Sequence, residues 1–374
     1  MAGIYIHIPF CKQKCSYCDF HFSTSLKHKD DLIQALIKEI EQKKELISEP
    51  ISTIYFGGGT PSLMTNDDFL LINETLLKNY NIIEKPEFTV ECNPDDLDKQ
   101  KLIDLKNSGV NRLSIGTQSF FDDDLQFFNR AHNSKQAKES ILLAQDIGFE
   151  NITIDLIYGT PTLDMKKWEE NLNQIEKLKI PHLSAYTLTV EPKTTLHHMV
   201  KTNQTQLPTD EETIEQFKTL MNRTKEIGLT QYEVSNFGKE GFYSQHNSNY
   251  WKGINYLGFG PSAHSFIENK RFWNVSNNIK YIEAISKNLN YFEKELIDEK
   301  TAYNEYILTR LRTIWGVNLS FLKTTFNQKI VEHFQKEIHP YLNSSYLQTE
   351  NESITLTKEG IFIADKISSD LFYV

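Results

Sequence analysis

A rhythm constrains this chain more than any other feature. Short β-branched apolar runs alternate with stretches of helical periodicity, six times in succession. "GIYIHI" (3–8) leads to a predicted helix over 30–47, "ISTIYF" (51–56) to one over 66–80, and "EFTVE" (87–91) to one over 97–107. "VNRLSIGTQ" (110–118) precedes two helical stretches between 122 and 147, and a helix over 165–178 separates "NITIDLIYG" (151–159) from "PHLSAYTL" (181–188). Strands joined through helices pair in parallel, because the chain must cross over before the next strand begins. The expected class is α/β. An open or partial (β/α)6 barrel is favoured over a doubly wound sheet, and pattern alone leaves both open.

After Leu188 the rhythm is lost. Residues 191–291 carry one clear helix, over 210–227, and then a glycine- and aromatic-rich stretch. From about 301 the chain reads as helical again and closes in a short hairpin and a helix, a small, mainly helical, winged-helix-like unit. The expected division is 1–290, a barrel domain with a C-terminal extension, and 291–374, a small C-terminal domain. Winged helices often read DNA, yet residues 301–374 hold 7 Lys plus Arg against 8 Asp plus Glu, and the whole chain carries a formal charge of −10. Phosphate backbones select for basic surfaces, so no nucleic-acid partner is expected.

Three of the four cysteines, Cys11, Cys15 and Cys18, fall within eight residues. No apolar run approaches the roughly 18 residues needed to cross a bilayer, and residues 1–10 offer no charged leader region. A cytoplasmic, reducing setting is therefore expected, in which clustered cysteines indicate metal or redox chemistry rather than disulfides. Three readings of the spacing stand side by side. A structural zinc site wants four ligands, and His21 would complete a Cys3His set. Three inert packed cysteines are a second reading. A four-iron cluster held by three thiolates, with one iron left open, is the third, and Lys12 and Lys14 would then favour the ionised sulfurs. Glu91, Gln118 and Asp155 each close or interrupt an apolar run near the C-terminal end of a strand. In barrels the loops leaving that face surround a common mouth.

The Cys-x3-Cys-x2-Cys spacing after the first strand, with Tyr17 before the third cysteine, resembles the radical S-adenosylmethionine (SAM) superfamily. "FGGGTP" (56–61) matches the glycine turn that contacts the methionine part of the cofactor in that family. The resemblance narrows to the coproporphyrinogen dehydrogenase (HemN-like) branch through "YIHIPFC", "ECNP" (91–94), "GTQSF" (116–120), "NRAH" (129–132) and "DLIYGTP" (155–161). It covers essentially the whole chain. It implies a radical SAM barrel whose [4Fe-4S] cluster is held by Cys11, Cys15 and Cys18, with the open iron chelated by S-adenosyl-L-methionine. Tyr5, Tyr17, Gly58, Gly59, Thr60, Glu91, Gln118, Arg130 and Asp155 would surround that cofactor.

Two departures argue against coproporphyrinogen oxidation: Phe20 stands where the dehydrogenases carry a further cysteine, and the first strand begins almost at the first residue. "HNSNYW" (246–251), the C-x-F ending and the early first strand resemble instead the haem-chaperone group of the same branch. That implies haem as ligand, with His246 as its contact and the faces of Tyr250 and Trp251 beside the macrocycle. A haem-acceptor protein follows as partner, a membrane-bound haem enzyme among the choices. His264 is a second candidate, His197 and His198 read as solvated loop residues, and Cys92 as a packed one. The aromatic stretch after Tyr232 is compatible with a homodimer surface and equally with a ligand pocket. The alternative function is an oxygen-independent coproporphyrinogen III dehydrogenase.

Overall fold

Polarity alternates within the strands, and that alternation sets the architecture. In the computed structural model, which describes residues 1–374, strand β1 (Ala2–Ile8) buries Ile4, Ile6 and Ile8 completely on one face. The other face carries Gly3, Tyr5 and His7. The same division holds along β2 (Ile51–Gly58), β3 (Ile82–Cys92), β4 (Arg112–Gln118), β5 (Asn151–Tyr158) and β6 (His182–Thr187). Ile54, Phe56, Val90, Leu113, Ile152 and Ile154 enter the apolar core, while Tyr55, Glu91, Ser114, Asp155 and Ser184 line one small polar pocket. A sheet sandwiched by helices on both faces would be apolar on both. One apolar and one polar face describe a curved sheet with helices outside and a polar lumen inside. The open-barrel expectation is met.

The helices between the strands are α1 (Lys29–Gln42), α2 (Asn66–Asn79), α3 (Lys99–Asn107), α4 (Asp122–Phe127), α5 (Ser134–Asp146) and α6 (Met165–Lys177). All but α1, which stops at Gln42 short of the predicted 47, end close to their predicted boundaries. Beyond β6 come α7 (Thr195–Lys201) and α8 (Asp210–Glu226), then β7 (Thr230–Gln231) and β8 (Asn236–Gly238). Next are α9 (Gln245–Lys252), β9 (Tyr256–Phe259), β10 (His264–Ile267), β11 (Lys270–Asn274), α10 (Asn278–Ser286) and β12 (Phe292–Leu296). The sheet runs β12-β11-β10-β9-β1-β2-β3-β4-β5-β6-β8-β7. Strand β9 adds to β1 in parallel, and β10 to β12 follow antiparallel. These short strands are what the glycine- and aromatic-rich stretch becomes.

The tail folds around a core of its own, beginning at Tyr303. Helix α11 (Glu299–Leu311) leads to β13 (Val317–Asn318), two further helices, the hairpin of β14 (Leu347–Glu350) and β15 (Ser353–Leu356), and a last helix over Ala364–Asp370. The small sheet has the order β13-β15-β14.

One buried polar cluster fastens the extra strands to the barrel. The Glu39 carboxylate, with no exposed surface, accepts from Tyr281 Oη (2.6 Å), Asn274 Nδ2 (2.7 Å) and the Gly260 amide (2.8 Å), and pairs with Lys43 Nζ at 2.7 Å. Lys43 also donates to the Gly258 carbonyl (3.2 Å) and sits 5.5 Å from the centre of the Tyr291 ring. One carboxylate thus joins α1 to the turn after β9, to β11 and to α10. Glu39→Ala leaves the Lys43 ammonium buried without its partner, so a loss of about 3–5 kcal/mol is expected in urea unfolding.

Candidate functional site

The cysteine loop is pinned from two sides by ordinary backbone chemistry. Ser23 donates its amide to the Pro9 carbonyl (2.8 Å) and Cys11 donates to Ser23 (3.0 Å), which closes the loop on itself. The Gly59 amide bonds the Ile8 carbonyl at 2.9 Å and the Thr60 amide bonds the Phe10 carbonyl at 2.6 Å, so the end of β2 is zipped to the start of the loop. This explains the glycines. A Cβ at Gly59 would lie 2.6 Å from the Phe10 oxygen, and Gly58, at φ 105°, would place one 2.5 Å from the His7 ring. On the far side Ser16 donates its amide to Phe128 (2.9 Å) and its hydroxyl to Phe127 (3.0 Å), and Asn129 Nδ2 donates to Lys14 (2.7 Å). Tyr17 meets the Phe128 ring edge-on at 5.4 Å.

All three loop cysteines are reduced and half-buried. Burial pushes the Cys11 thiol up and the Cys18 thiol up to about 11, and crowding among the sulfurs adds to both shifts. A bound metal reverses that preference, because it stabilises the thiolate directly. The cation that serves them is not the one expected. Lys12 turns away to pair with Asp95 at 2.6 Å and with Asp96. Arg130 replaces it: Nη1 lies 3.3 Å from Cys15 Sγ, while Nη2 donates to Asn93 Oδ1 (2.6 Å) and the Gly116 carbonyl (2.9 Å). Its Nε is buried without a partner.

A guanidinium facing thiols with no carboxylate beside it is fitted to an anionic thiolate-bound centre. The zinc alternative fares worse. His21, the fourth ligand such a site would need, gives Nε2 to Asn278 Oδ1 instead (2.7 Å). Phe20 is 67% exposed on the loop surface, and Cys92 is packed in the core.

Above the lumen the strand-end residues converge. The Glu91 carboxylate accepts from Tyr55 Oη (2.8 Å) and from the Gly58 amide (3.1 Å). Tyr5 stacks on Tyr55 at 6.1 Å and meets His7 Nδ1 through its hydroxyl at 3.1 Å. Asp155 lines the same pocket as Glu91, a polar space of about 60 Å³ shared with Arg112, His182 and Tyr186. Burial pushes Glu91 up to about 7, its Tyr55 bond opposing and Asp155 adding to the rise; burial likewise pushes Asp155 up to about 6. Two carboxyls held near neutrality are poised to hydrogen-bond hydroxyl or ammonium groups of a ligand. Gln118 closes β4 in a left-handed conformation (φ 64°), a strain found mainly where a side chain must be aimed. Thr60 accepts from Asn93 Nδ2 at 3.2 Å.

His246 stands apart from this mouth, on the lumen side of β1 and β2. It is 2% exposed; Nδ1 meets Thr53 Oγ1 and Nε2 meets Tyr250 Oη, each at 2.8 Å. Its ring stacks on Tyr55 at 5.1 Å, and burial pushes its pKa down to about 3. Here it is a hydrogen-bonded core histidine. His264 is exposed and stacks on Trp273.

Three residues that hold the site together escaped the sequence reading. Asn93 bridges Thr60 to Arg130, and Tyr55 carries Glu91. The third is Glu87, whose carboxylate caps α9 by accepting from the amides of Gln245 (2.9 Å) and His246 (2.8 Å). For Glu87 and Tyr55 the available signal was polarity at lumen-facing positions of otherwise apolar strands.

A model of the radical SAM superfamily matches residues 5–175, and a model of the HemN C-terminal domain matches 297–363. The chain is 33% identical to the haem chaperone HemW of Bacillus subtilis over 98% of both chains. It is 31% identical to the HemW of Lactococcus lactis over 97% of this chain and 95% of the relative. Among solved structures, the coproporphyrinogen III oxidase HemN of Escherichia coli superposes with a TM-score of 0.86 at 20% identity, covering 99% of this chain and 90% of that one.

The Glu91 shift has a signed consequence. The folded carboxyl keeps its proton up to about pH 7, whereas an unperturbed one releases it near 4.5. Between those values the folded chain binds more protons, so stability falls as pH rises. Glu91→Gln removes that cost. Urea unfolding of the cluster-free chains is expected to show no gain at pH 4 and a gain of about 2 kcal/mol at pH 8.

Proposed function

The chain belongs to the HemW family of the radical SAM superfamily, and from that premise we propose that it is a haem chaperone, binding haem and passing it to an acceptor protein. The observation that carries this reading is the full-length likeness to curated haem chaperones, which spans both the barrel and the C-terminal unit. In the same reading Cys11, Cys15 and Cys18 hold a [4Fe-4S] cluster. Tyr5, Tyr17, Gly58, Gly59, Thr60, Glu91, Gln118, Arg130 and Asp155 hold S-adenosyl-L-methionine. When bound together, these groups supply one-electron chemistry. The protein's own part is to neutralise charge with Arg130, to offer Glu91 and Asp155 as hydrogen-bonding carboxyls, and to hold the cysteine loop against β2.

His246 is the proposed haem contact. Its Nε2 becomes available only when Tyr250 gives up their 2.8 Å hydrogen bond, so ligation there is coupled to a movement on α9. No helix is long and apolar enough to cross a membrane. A cytoplasmic location, a membrane-bound haem enzyme as acceptor and a homodimeric assembly belong to the proposal. The coproporphyrinogen III dehydrogenase reading has the shared fold in its favour. Against it stands Phe20, at the position where the dehydrogenases carry a further cysteine.

A haemin titration of anaerobically reconstituted protein, wild type beside His246→Ala, tests the reading through the Soret band. One haem per chain, bound about tenfold more weakly by the variant, is the expected result. Turnover of coproporphyrinogen III without haem binding would reverse it. Cys15→Ala should lose the broad absorbance near ~400 nm of the cluster.

A further inference from the structure

Arg130 is fixed at both ends, backbone and guanidinium. Its amide bonds the Leu125 carbonyl at 2.9 Å. Asn129, just before it, accepts from Gln13 Nε2 at 2.8 Å and donates to Lys14, so the chain at Arg130 is tied to the cysteine loop. Both hydrogens of Nη2 are taken, one by Asn93 Oδ1 (2.6 Å) and one by the Gly116 carbonyl (2.9 Å). A Cβ at Gly116 would stand 3.1 Å from that nitrogen, so the glycine admits the guanidinium. The fork is planar and rigid, and with Nη2 held, Nη1 lies 3.3 Å from Cys15 Sγ.

Asn93 is held in turn. It follows β3 directly. Its amide donates to Ser62 Oγ (3.3 Å), its carbonyl accepts from the Asp96 amide (3.1 Å), and its Nδ2 donates to Thr60 Oγ1 (3.2 Å). Only Oδ1 can then face the guanidinium, because a flipped amide would set donor against donor. A carboxylate in this place would pair with Arg130 and draw its charge away from the sulfurs. A neutral amide orients that charge without cancelling it.

We propose that Asn93 is a positioning residue that sets the reduction potential of the cluster by aiming Arg130 at the Cys15 sulfur. The inference rests on the reading of Cys11, Cys15 and Cys18 as cluster ligands. Reduction brings in one electron from a dithionite-class donor, and no bond forms or breaks. The added negative charge lies on the centre that the three thiolates bind. A hydrogen bond and a positive charge at one ligating sulfur favour that reduced form, as hydrogen bonds to cluster sulfurs do in general. The contact belongs to the protein alone, so its effect is present before SAM or haem arrives.

The test is a dithionite titration of the reconstituted full-length chain without SAM, with the reduced cluster followed by electron paramagnetic resonance. Asn93→Ala is expected to keep the wild-type iron and sulfide content and to weaken electron uptake about tenfold, a midpoint about 59 mV more negative. Arg130→Gln removes the charge itself and is expected to lower the midpoint at least as far. Adding Asn93→Ala to Arg130→Gln is then expected to lower it no further, since the two residues act as one unit. A wild-type midpoint in Asn93→Ala, or falls that add in the double variant, overturns the role of Asn93 and leaves the cluster and chaperone readings intact. No cluster signal in wild type overturns the cluster reading, and this inference with it. Should Asn93→Ala assemble no cluster, Arg130→Lys keeps a charge but loses the fork, and the same tenfold fall is expected. A wild-type midpoint in Arg130→Lys overturns the proposal.

Discussion

A guanidinium without a carboxylate is the constraint on which this site turns. Arg130 reaches Cys15 Sγ at 3.3 Å and is braced by Asn93 and the Gly116 carbonyl, so its charge is aimed at the cysteine loop rather than at another side chain. Carrying that charge into a half-buried site is favourable only where negative charge gathers beside it. In the proposed cluster, three metal-bound thiolates on one loop provide that. The neighbouring lysine is not needed for the purpose and is free to tie the loop to Asp95 and Asp96. Arg130 therefore links the loop, the turn after β3 and β4 in one polar knot.

The barrel supplies the setting through alternation. Outward residues such as Ile4, Ile6, Val90 and Leu113 bury fully against the helices, which leaves the inward positions free to be polar. Buried polar groups need partners, and several inward ones find them in one another: Tyr55 with Glu91, His246 with Thr53 and Tyr250, His182 with Thr153 and Tyr232. The tyrosine wall consequently connects the mouth of the barrel to α9. His246 stacks beneath Tyr55, Tyr55 holds Glu91, and the far end of α9 touches the C-terminal unit.

The cysteine spacing, the glycine turn and the six βα repeats were legible before any coordinates, because each depends on local chemistry. Thiolates close in sequence stay close in space, a backbone approaching within 3 Å tolerates only glycine, and apolar period marks strand from helix. The strands of two to five residues between 230 and 296 were not legible. Their faces are half-covered and their lengths too short to set a period, and their register comes from neighbours such as β1 and β6.

By itself the sequence determined the fold class, the loop that gathers the three cysteines and the polar residues at the strand ends. Tertiary structure alone decided the partners: that Arg130 and not Lys12 faces the sulfurs, that Glu87 caps α9, and that His246 lies satisfied inside the barrel instead of facing solvent. The physical reason is distance along the chain. Arg130 stands 115 residues from Cys15 and Glu87 stands 159 from His246, and contacts over such separations are fixed by how the sheet curves and what it encloses, which no local pattern records.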